Sequence, residues 1–203
     1  MTDDDLAGLY AGGATHLDAA TLATAGLDPS SRAWLADHGL PLRPEPAIPL
    51  LEFVPPRMHA GGNAAVLVIA REPWADALWI GIAADGRVVT AGADGPPILI
   101  NSRITHFLHF LAAFQRFQRA ASRDDAGPRV YTQAEMQARL DALRQGQGRR
   151  ASPPASRAPA TPALDRPAAL RRLEQAWRDC DAAALARGGW WLRIREQLRD
   201  GLL

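Results

Sequence analysis

The residues of this chain best placed to do chemistry are four carboxylates beside predicted strand ends. They are Glu72, Asp76, Asp85 and Asp94, and each stands in a turn-like stretch next to an apolar run. Carboxylates in such positions serve some enzymes as general acids or bases. They are also ordinary turn formers, and a charged rim of this kind suits a basic partner surface. We therefore predict that these four residues contact a partner and do not catalyse a reaction.

Two further patterns are compatible with chemistry, and in both a structural role is the better interpretation. His106 and His109 have metal-ligand spacing, but no third ligand, cysteine pair or HExxH motif stands near them. Cys180 is the single cysteine, and its position on the inward face of a predicted helix is typical of a packed apolar side chain. The glycines form no phosphate-binding loop. The sequence thus predicts no catalytic set, no metal and no cofactor.

The element that must organise these residues is a strand that leads directly into a long helix, between Pro97 and Gln118. The apolar run 98–100 reads as a strand, and Asn101 and Ser102 follow it. Such residues favour helix starts because their short side chains accept hydrogen bonds from first-turn amides. Apolar residues then recur at helical spacing and include four of the chain's five phenylalanines. We expect this helix to cover the sheet, with Phe107 and Leu111 buried against it.

The remaining apolar runs predict an α+β fold with a mainly antiparallel sheet of about five strands covered by helices. The strands are expected at 50–54, 64–70, 77–82, 87–90 and 98–100, with Pro55 and Pro56 closing the first of them and Asp85-Gly86 forming a hairpin turn. Run 64–70 should be buried on both faces. Before the sheet we expect helices at 15–25 and 29–38, the second ended by Gly39 and Pro41.

The domain organisation follows from a change of composition after residue 145. Residues 1–145 should form the α+β domain, including a helix at 131–144. Residues 146–163 are rich in Pro, Ala and Arg and cannot form a core, so they predict a tether. Residues 164–203 predict a C-terminal helical extension capped by Asp165. Because Trp177 and Trp191 lie on its apolar faces, this extension should dock on the first domain.

Composition excludes several functional classes. The chain has 203 residues and a net charge of +1, which gives no general reason to bind nucleic acid or an acidic membrane. No apolar run is long enough to span a bilayer. The acidic start at 3–5 is unlike a signal peptide, and a single cysteine suits a reducing compartment. We therefore expect a cytoplasmic protein.

Three blocks, in order, resemble one protein family. They are Arg32–Leu35 with His38-Gly39-Leu40-Pro41; Leu78–Ile82 with Asp85–Val88 and Ile100-Asn101-Ser102; and Asp179 with Gly189-Trp190-Trp191, Leu198 and Gly201-Leu202. Together they resemble the SUKH superfamily, specifically its fourth group of bacterial immunity proteins, which are relatives of the yeast Smi/Knr proteins. The resemblance covers about three quarters of the chain and omits the tether.

The resemblance implies an α+β binding protein that neutralises a toxin from a polymorphic or contact-dependent toxin system. Toxins of such systems are often nucleases or nucleotide-modifying enzymes. Two alternatives remain: a general interaction or scaffold module, and a hydrolase or transferase with its site at the strand ends. A deep pocket with convergent titratable groups would favour the enzyme. The leading hypothesis is a non-enzymatic protein whose partner is a cognate protein toxin, not nucleic acid or membrane.

Overall fold

The computed structural model describes residues 6–45, 47–61, 64–73, 78–92, 96–124 and 165–203. Two short strands, β1 (Ala14–Thr15) and β2 (Leu40–Pro41), pair with each other and flank helices α1 (Ala19–Thr24) and α2 (Pro29–His38). The central sheet consists of β3 (Glu52–Gly61), β4 (Ala64–Arg71), β5 (Trp79–Ala83), β6 (Val88–Ala91) and β7 (Leu99–Asn101). Helix α3 (Ile104–Asp124) follows, and α4 (Arg166–Asp181), a 3₁₀ helix (Ala182–Leu185) and α5 (Trp190–Arg199) form the C-terminal part.

The central sheet is an antiparallel meander in the order β3-β4-β5-β6-β7. Helices precede and follow it, so the predicted α+β fold with five antiparallel strands and a C-terminal helical part is confirmed. In a meander, successive connections lie at alternating ends of the sheet. The connection from β4 to β5 is therefore at the opposite end from the β5–β6 turn.

Two element boundaries predicted from the sequence are wrong. Strand β3 does not end at Pro55 and Pro56 but continues to Gly61. It tolerates the prolines because it is an outer strand of the described sheet and its register shifts between Phe53 and Arg57. The helix predicted at 15–25 is shorter, because Ala14 and Thr15 instead pair with the segment after α2.

Helix α3 covers one face of the sheet, as its apolar periodicity predicts. Phe107 and Leu111 are both 0% exposed and belong to one large core that also contains Leu67, Ile80 and Ile100 of the sheet. The opposite face carries a second, smaller buried cluster formed by Val66, Val68, Val89 and Ala91. Residues 66–70 are buried throughout, so the predicted burial of β4 on both faces is confirmed for this part of the strand, whereas Ala65 is exposed.

The C-terminal helices pack on α3 and complete its core. The ring of Trp177 stacks on Phe110 with centroids 5.4 Å apart, and Trp191 lies 5.1 Å from the same phenylalanine. Trp177, Trp190 and Trp191 are each no more than 1% exposed. The predicted helix at 131–144 and the predicted tether at 146–163 lie outside the described residues.

Candidate functional site

The four carboxylates predicted from the sequence do not form one loop cluster. Glu72 follows β4, whereas Asp85 lies in the β5–β6 turn at the other end of the sheet. The five residues of β5 separate these ends by about 14–17 Å at the usual rise of a strand. Asp76 and Asp94 lie outside the described residues. Within the described residues, Glu72 and Asp85 therefore do not belong to one acidic rim.

Glu72 holds the C-terminal helices in place. Its carboxylate accepts a hydrogen bond from the indole Nε1 of Trp190, and its backbone N–H donates to the carbonyl of Leu78 at 3.1 Å. The side chain borders a cavity of about 570 Å³, lined mainly by apolar residues of α5 and the chain end such as Ile194 and Leu203. Because its carboxylate binds Trp190, Glu72 has a structural role in the contact with the C-terminal helices.

Asp85 is exposed and borders a second cavity, of about 430 Å³, between the start of α2 and the start of α3. Its carboxylate accepts from the Arg87 guanidinium at 2.7 Å, and half of its side chain remains accessible. Three carboxylates and one guanidinium line this cavity. We call it the acidic groove and define it by Asp28, Trp34, Asp37, His38, Asp85, Gly86, Ser102 and Arg103.

The floor of the acidic groove is set by Asp28, the N-cap of α2. Its carboxylate accepts from the backbone amides of Ser30 and Ser31 at 3.0 and 3.2 Å. Burial alone would raise the pKa of Asp28, but the hydrogen bonds from these two serines and the charge of Arg103 lower it below its usual value. Gly86 lies directly against this cap with φ +84°. The turn that carries Asp85 is thus seated on a capped helix end.

One wall of the acidic groove is aromatic. The rings of Trp34 and His38 stack face to face, with centroids 3.8 Å apart and planes 8° apart. Trp34 is half-buried and His38 is exposed. Aromatic faces beside carboxylates attract guanidinium and ammonium groups. The chemistry of the groove therefore favours a cationic side chain.

A second polar arrangement is buried where β7 becomes α3. Asp181, which is 7% exposed, accepts from the Ser102 amide at 2.7 Å, from the Ser102 hydroxyl at 2.9 Å and from Asn101 Nδ2 at 3.2 Å. The other amide atom, Asn101 Oδ1, accepts from Trp191 Nε1 at 2.8 Å. We call these four residues the polar junction. The prediction that Asn101 and Ser102 cap α3 is wrong in its bonds, since their side chains bind the C-terminal helices instead.

The polar junction and the neighbouring His106 bring serine, histidine and aspartate together, but not in their catalytic arrangement. His106 Nδ1 lies 3.5 Å from Asp181, and the Ser102 hydroxyl donates to that same carboxylate. A nucleophilic serine needs its hydrogen bond to the histidine base, with the acid on the far side of the ring. Burial would raise the pKa of Asp181, but the bonds from Ser102 and Asn101 hold it below its usual value. The carboxylate is thus a charged structural acceptor.

The remaining candidates have structural positions. Burial, followed by the neighbouring charge of Asp181, raises the pKa of the Cys180 thiol to about 11, so little thiolate forms at neutral pH. Within the described residues, no group of three or more His, Cys, Asp or Glu side chains is arranged to hold a metal ion. None of the helices described combines the length and apolarity needed to cross a membrane.

Some residues of these sites could be recognised from local sequence patterns, and others could not. Asp28 had a local signal, because an Asp-Pro pair before a helical pattern marks an N-cap and first turn. Asp181 had none, since its partners are about eighty residues away in the chain. Comparisons of the chain with family models, with curated proteins and with solved structures find no match.

Proposed function

We propose that this protein is a non-catalytic binding protein that neutralises a partner toxin by covering it, as the resemblance to SUKH immunity proteins implies. The observation that carries the proposal is the acidic groove. It presents exposed charge on rigid supports, namely the capped start of α2 and the turn at Gly86. A surface of this kind can bind a partner without large rearrangement.

Two carboxylates that would otherwise suggest an enzyme support this proposal by their bonding. In the polar junction, Asp181 is committed to Ser102 and Asn101, and in the cavity by α5, Glu72 is committed to Trp190. Asp181 lines neither cavity described above, and among the described residues that line the cavity by α5 no histidine, cysteine or second carboxylate accompanies Glu72 as an acid–base partner. The hydrolase or transferase alternative therefore gains no support from these residues.

The chemistry of the acidic groove suits a toxin that acts on nucleic acids or nucleotides. Such enzymes bind polyanions, so their clefts are basic, and an acidic surface complements them and speeds encounter. We place the contact at Asp37 and Asp85, both exposed in the groove. Of the four carboxylates predicted to contact a partner, we keep Asp85 in the proposed contact surface. We leave Glu72 out, because its carboxylate binds Trp190 within the protein. Asp76 and Asp94 stay predictions.

The test begins with affinity-tagged protein purified from its native host, with bound proteins identified by mass spectrometry. We expect recovery of the C-terminal domain of a large secreted toxin, and co-expression should suppress its toxicity. If the recovered partners are not toxic, or if their toxicity is unchanged by co-expression, the proposal fails. Recovery of housekeeping assemblies in place of a toxin would favour the scaffold alternative.

The contact surface is tested with matched variants. The double variant Asp37→Asn/Asp85→Asn should associate with the toxin more slowly, and the difference should shrink at high salt because exposed charges are screened. The double variant Glu196→Gln/Asp200→Asn removes the same number of exposed charges from positions that do not line the groove, and it serves as the control. Equal association rates for the groove variant and the control would reject the acidic groove as the contact surface.

A further inference from the structure

The C-terminal segment, residues 165–203, has the construction of a self-contained unit. Arg166 at the start of α4 donates from Nη2 to the carbonyls of Leu198 and Leu203 at 3.2 and 3.0 Å. Arg199 of α5 holds Glu174 of α4 with two nitrogen–oxygen distances of 2.9 Å. These bonds tie the C-terminal end of α5 to the start and the middle of α4, and the 3₁₀ helix connects the two helices at their other ends. We call this unit the C-terminal hairpin.

The surface that receives the C-terminal hairpin satisfies the polar groups that the hairpin buries. Each of the hairpin's three indole N–H groups donates to an acceptor in the rest of the chain. Trp177 donates to the Phe110 carbonyl at 3.1 Å, Trp191 to Asn101 Oδ1 at 2.8 Å, and Trp190 to the Glu72 carboxylate. A buried indole N–H needs a partner, so this pairing sets both the position and the orientation of the hairpin.

The buried carboxylate of Asp181 adds hydrogen bonds in which the donor and acceptor roles are reversed. It is an acceptor supplied by the hairpin, and its donors, Ser102 and Asn101, belong to the receiving surface. Asn101 thus binds the hairpin twice, as donor to Asp181 and as acceptor from Trp191. Around these bonds, the aromatic rings of Trp177 and Trp191 pack on Phe110 and supply apolar burial.

We propose that the junction of β7 and α3, together with the Phe110 side of α3, is a specific binding site for a two-helix segment, and that its occupant is residues 165–203 of the same chain, held without need of a covalent connection. The hairpin is internally tied, and its interface has the anatomy of a protein–protein contact: buried aromatic anchors with satisfied polar groups. A covalent connection between the two parts would then raise their effective concentration without being required for binding.

The experiment uses the full chain with the recognition sequence of a site-specific protease inserted after Ala155, within the predicted tether. The protein is cleaved after folding and passed over a gel-filtration column at decreasing concentrations, with masses measured by light scattering. We expect both fragments to elute together, at the mass of one uncleaved chain, at micromolar concentration. Separation of the wild-type fragments under these conditions would overturn the proposal, as would a complex with the mass of two chains.

Matched variants test the recognition itself. In the cleaved protein, Asp181→Asn should make the fragments dissociate at a concentration about tenfold higher, because charged hydrogen bonds become neutral ones. Asp179→Asn makes the same chemical change two residues away at an exposed position and should have no effect. Circular dichroism of each uncleaved parent verifies that it is folded. Equal dissociation of the two variants would overturn the role assigned to the polar junction.

Discussion

Asp181 offers the sharpest test of how this fold is held together, because one buried carboxylate joins the C-terminal hairpin to the sheet domain. Replacing it by leucine keeps a side chain of similar length but removes the acceptor. Three donors would lose their acceptor. The Ser102 hydroxyl can rotate to another partner, but the Ser102 amide and Asn101 Nδ2 are fixed in place and stay unsatisfied. Each unsatisfied donor costs about 1–3 kcal/mol, so Asp181→Leu should lower the free energy of unfolding by about 2–6 kcal/mol.

The amide variant separates charge from shape. In Asp181→Asn, the side-chain oxygen still accepts from Ser102 and Asn101, and the Ser102 hydroxyl can turn to accept from the new amide. Neutral bonds are weaker than charged ones, whereas desolvation of the charge no longer opposes folding, so we expect a loss of about 1–2 kcal/mol. The exposed control Asp179→Asn should stay within about 0.5 kcal/mol of the parent.

Urea unfolding followed by tryptophan fluorescence measures these differences, since three of the six tryptophans belong to the C-terminal hairpin. The midpoints should fall in the order control, amide variant, leucine variant, with unchanged dependence on urea. A leucine variant within about 0.5 kcal/mol of the parent would refute the view that Asp181 satisfies buried donors. So would an amide variant that loses as much as the leucine variant.

Three further predictions concern the core, the groove and pH. Leu111→Ala should cost about 2–5 kcal/mol in the same assay, because it leaves a cavity in the fully buried contact of α3 with the sheet; a loss below about 0.5 kcal/mol would contradict that packing. Gly86→Ala should cost about 1–3 kcal/mol, since the residue has φ +84° and a new Cβ would overlap the Asp28 cap; an unchanged midpoint would show that the turn readily moves. The folded-state pKa of Asp181 is lowered, so its stabilisation is present above the unfolded-state pKa of about 3.9 and is lost as pH falls through the folded value. The difference in free energy of unfolding between the parent and Asp181→Asn should therefore become smaller below about pH 4. A difference that does not change with pH would contradict the view that Asp181 stabilises the fold as a charged carboxylate.

The fold could be predicted where the signals are local. Helix α2 begins and ends where the sequence predicts, because Pro29 fixes its first turn and Gly39 adopts the positive φ that ends it. Helix α3 and the strands were indicated by apolar periodicity, which reports burial directly. Pro55 misled, because a proline ends a central strand but not an outer strand with a register shift.

The candidate sites were harder to predict because they are made by contacts between distant segments. Asp85 lies in the acidic groove only because its turn meets Asp28, and a sequence pattern cannot show that meeting. Asn101 was correctly placed at the strand–helix boundary, but its bonds go to residues eighty and ninety positions away. The four carboxylates were grouped because all are acidic and lie in predicted turns. Successive connections of the meander lie at opposite ends of the sheet, so Glu72 and Asp85 are far apart.

The order of the core residues along the chain has a consequence during protein synthesis. The three tryptophans that complete the core beside Phe110 stand 53 to 67 residues beyond the end of α3 at Asp124. At about 5–20 residues per second, a ribosome that has finished α3 needs roughly 3–11 seconds to reach Trp177 and roughly 3–13 seconds to reach Trp191. Until Trp177 is added, Phe110 has neither of the tryptophan rings that pack on it, and Asn101 has neither of its side-chain partners. The core of α3 is therefore completed well after the helix itself is made, and a message truncated before Trp177 yields a protein with an open aromatic face.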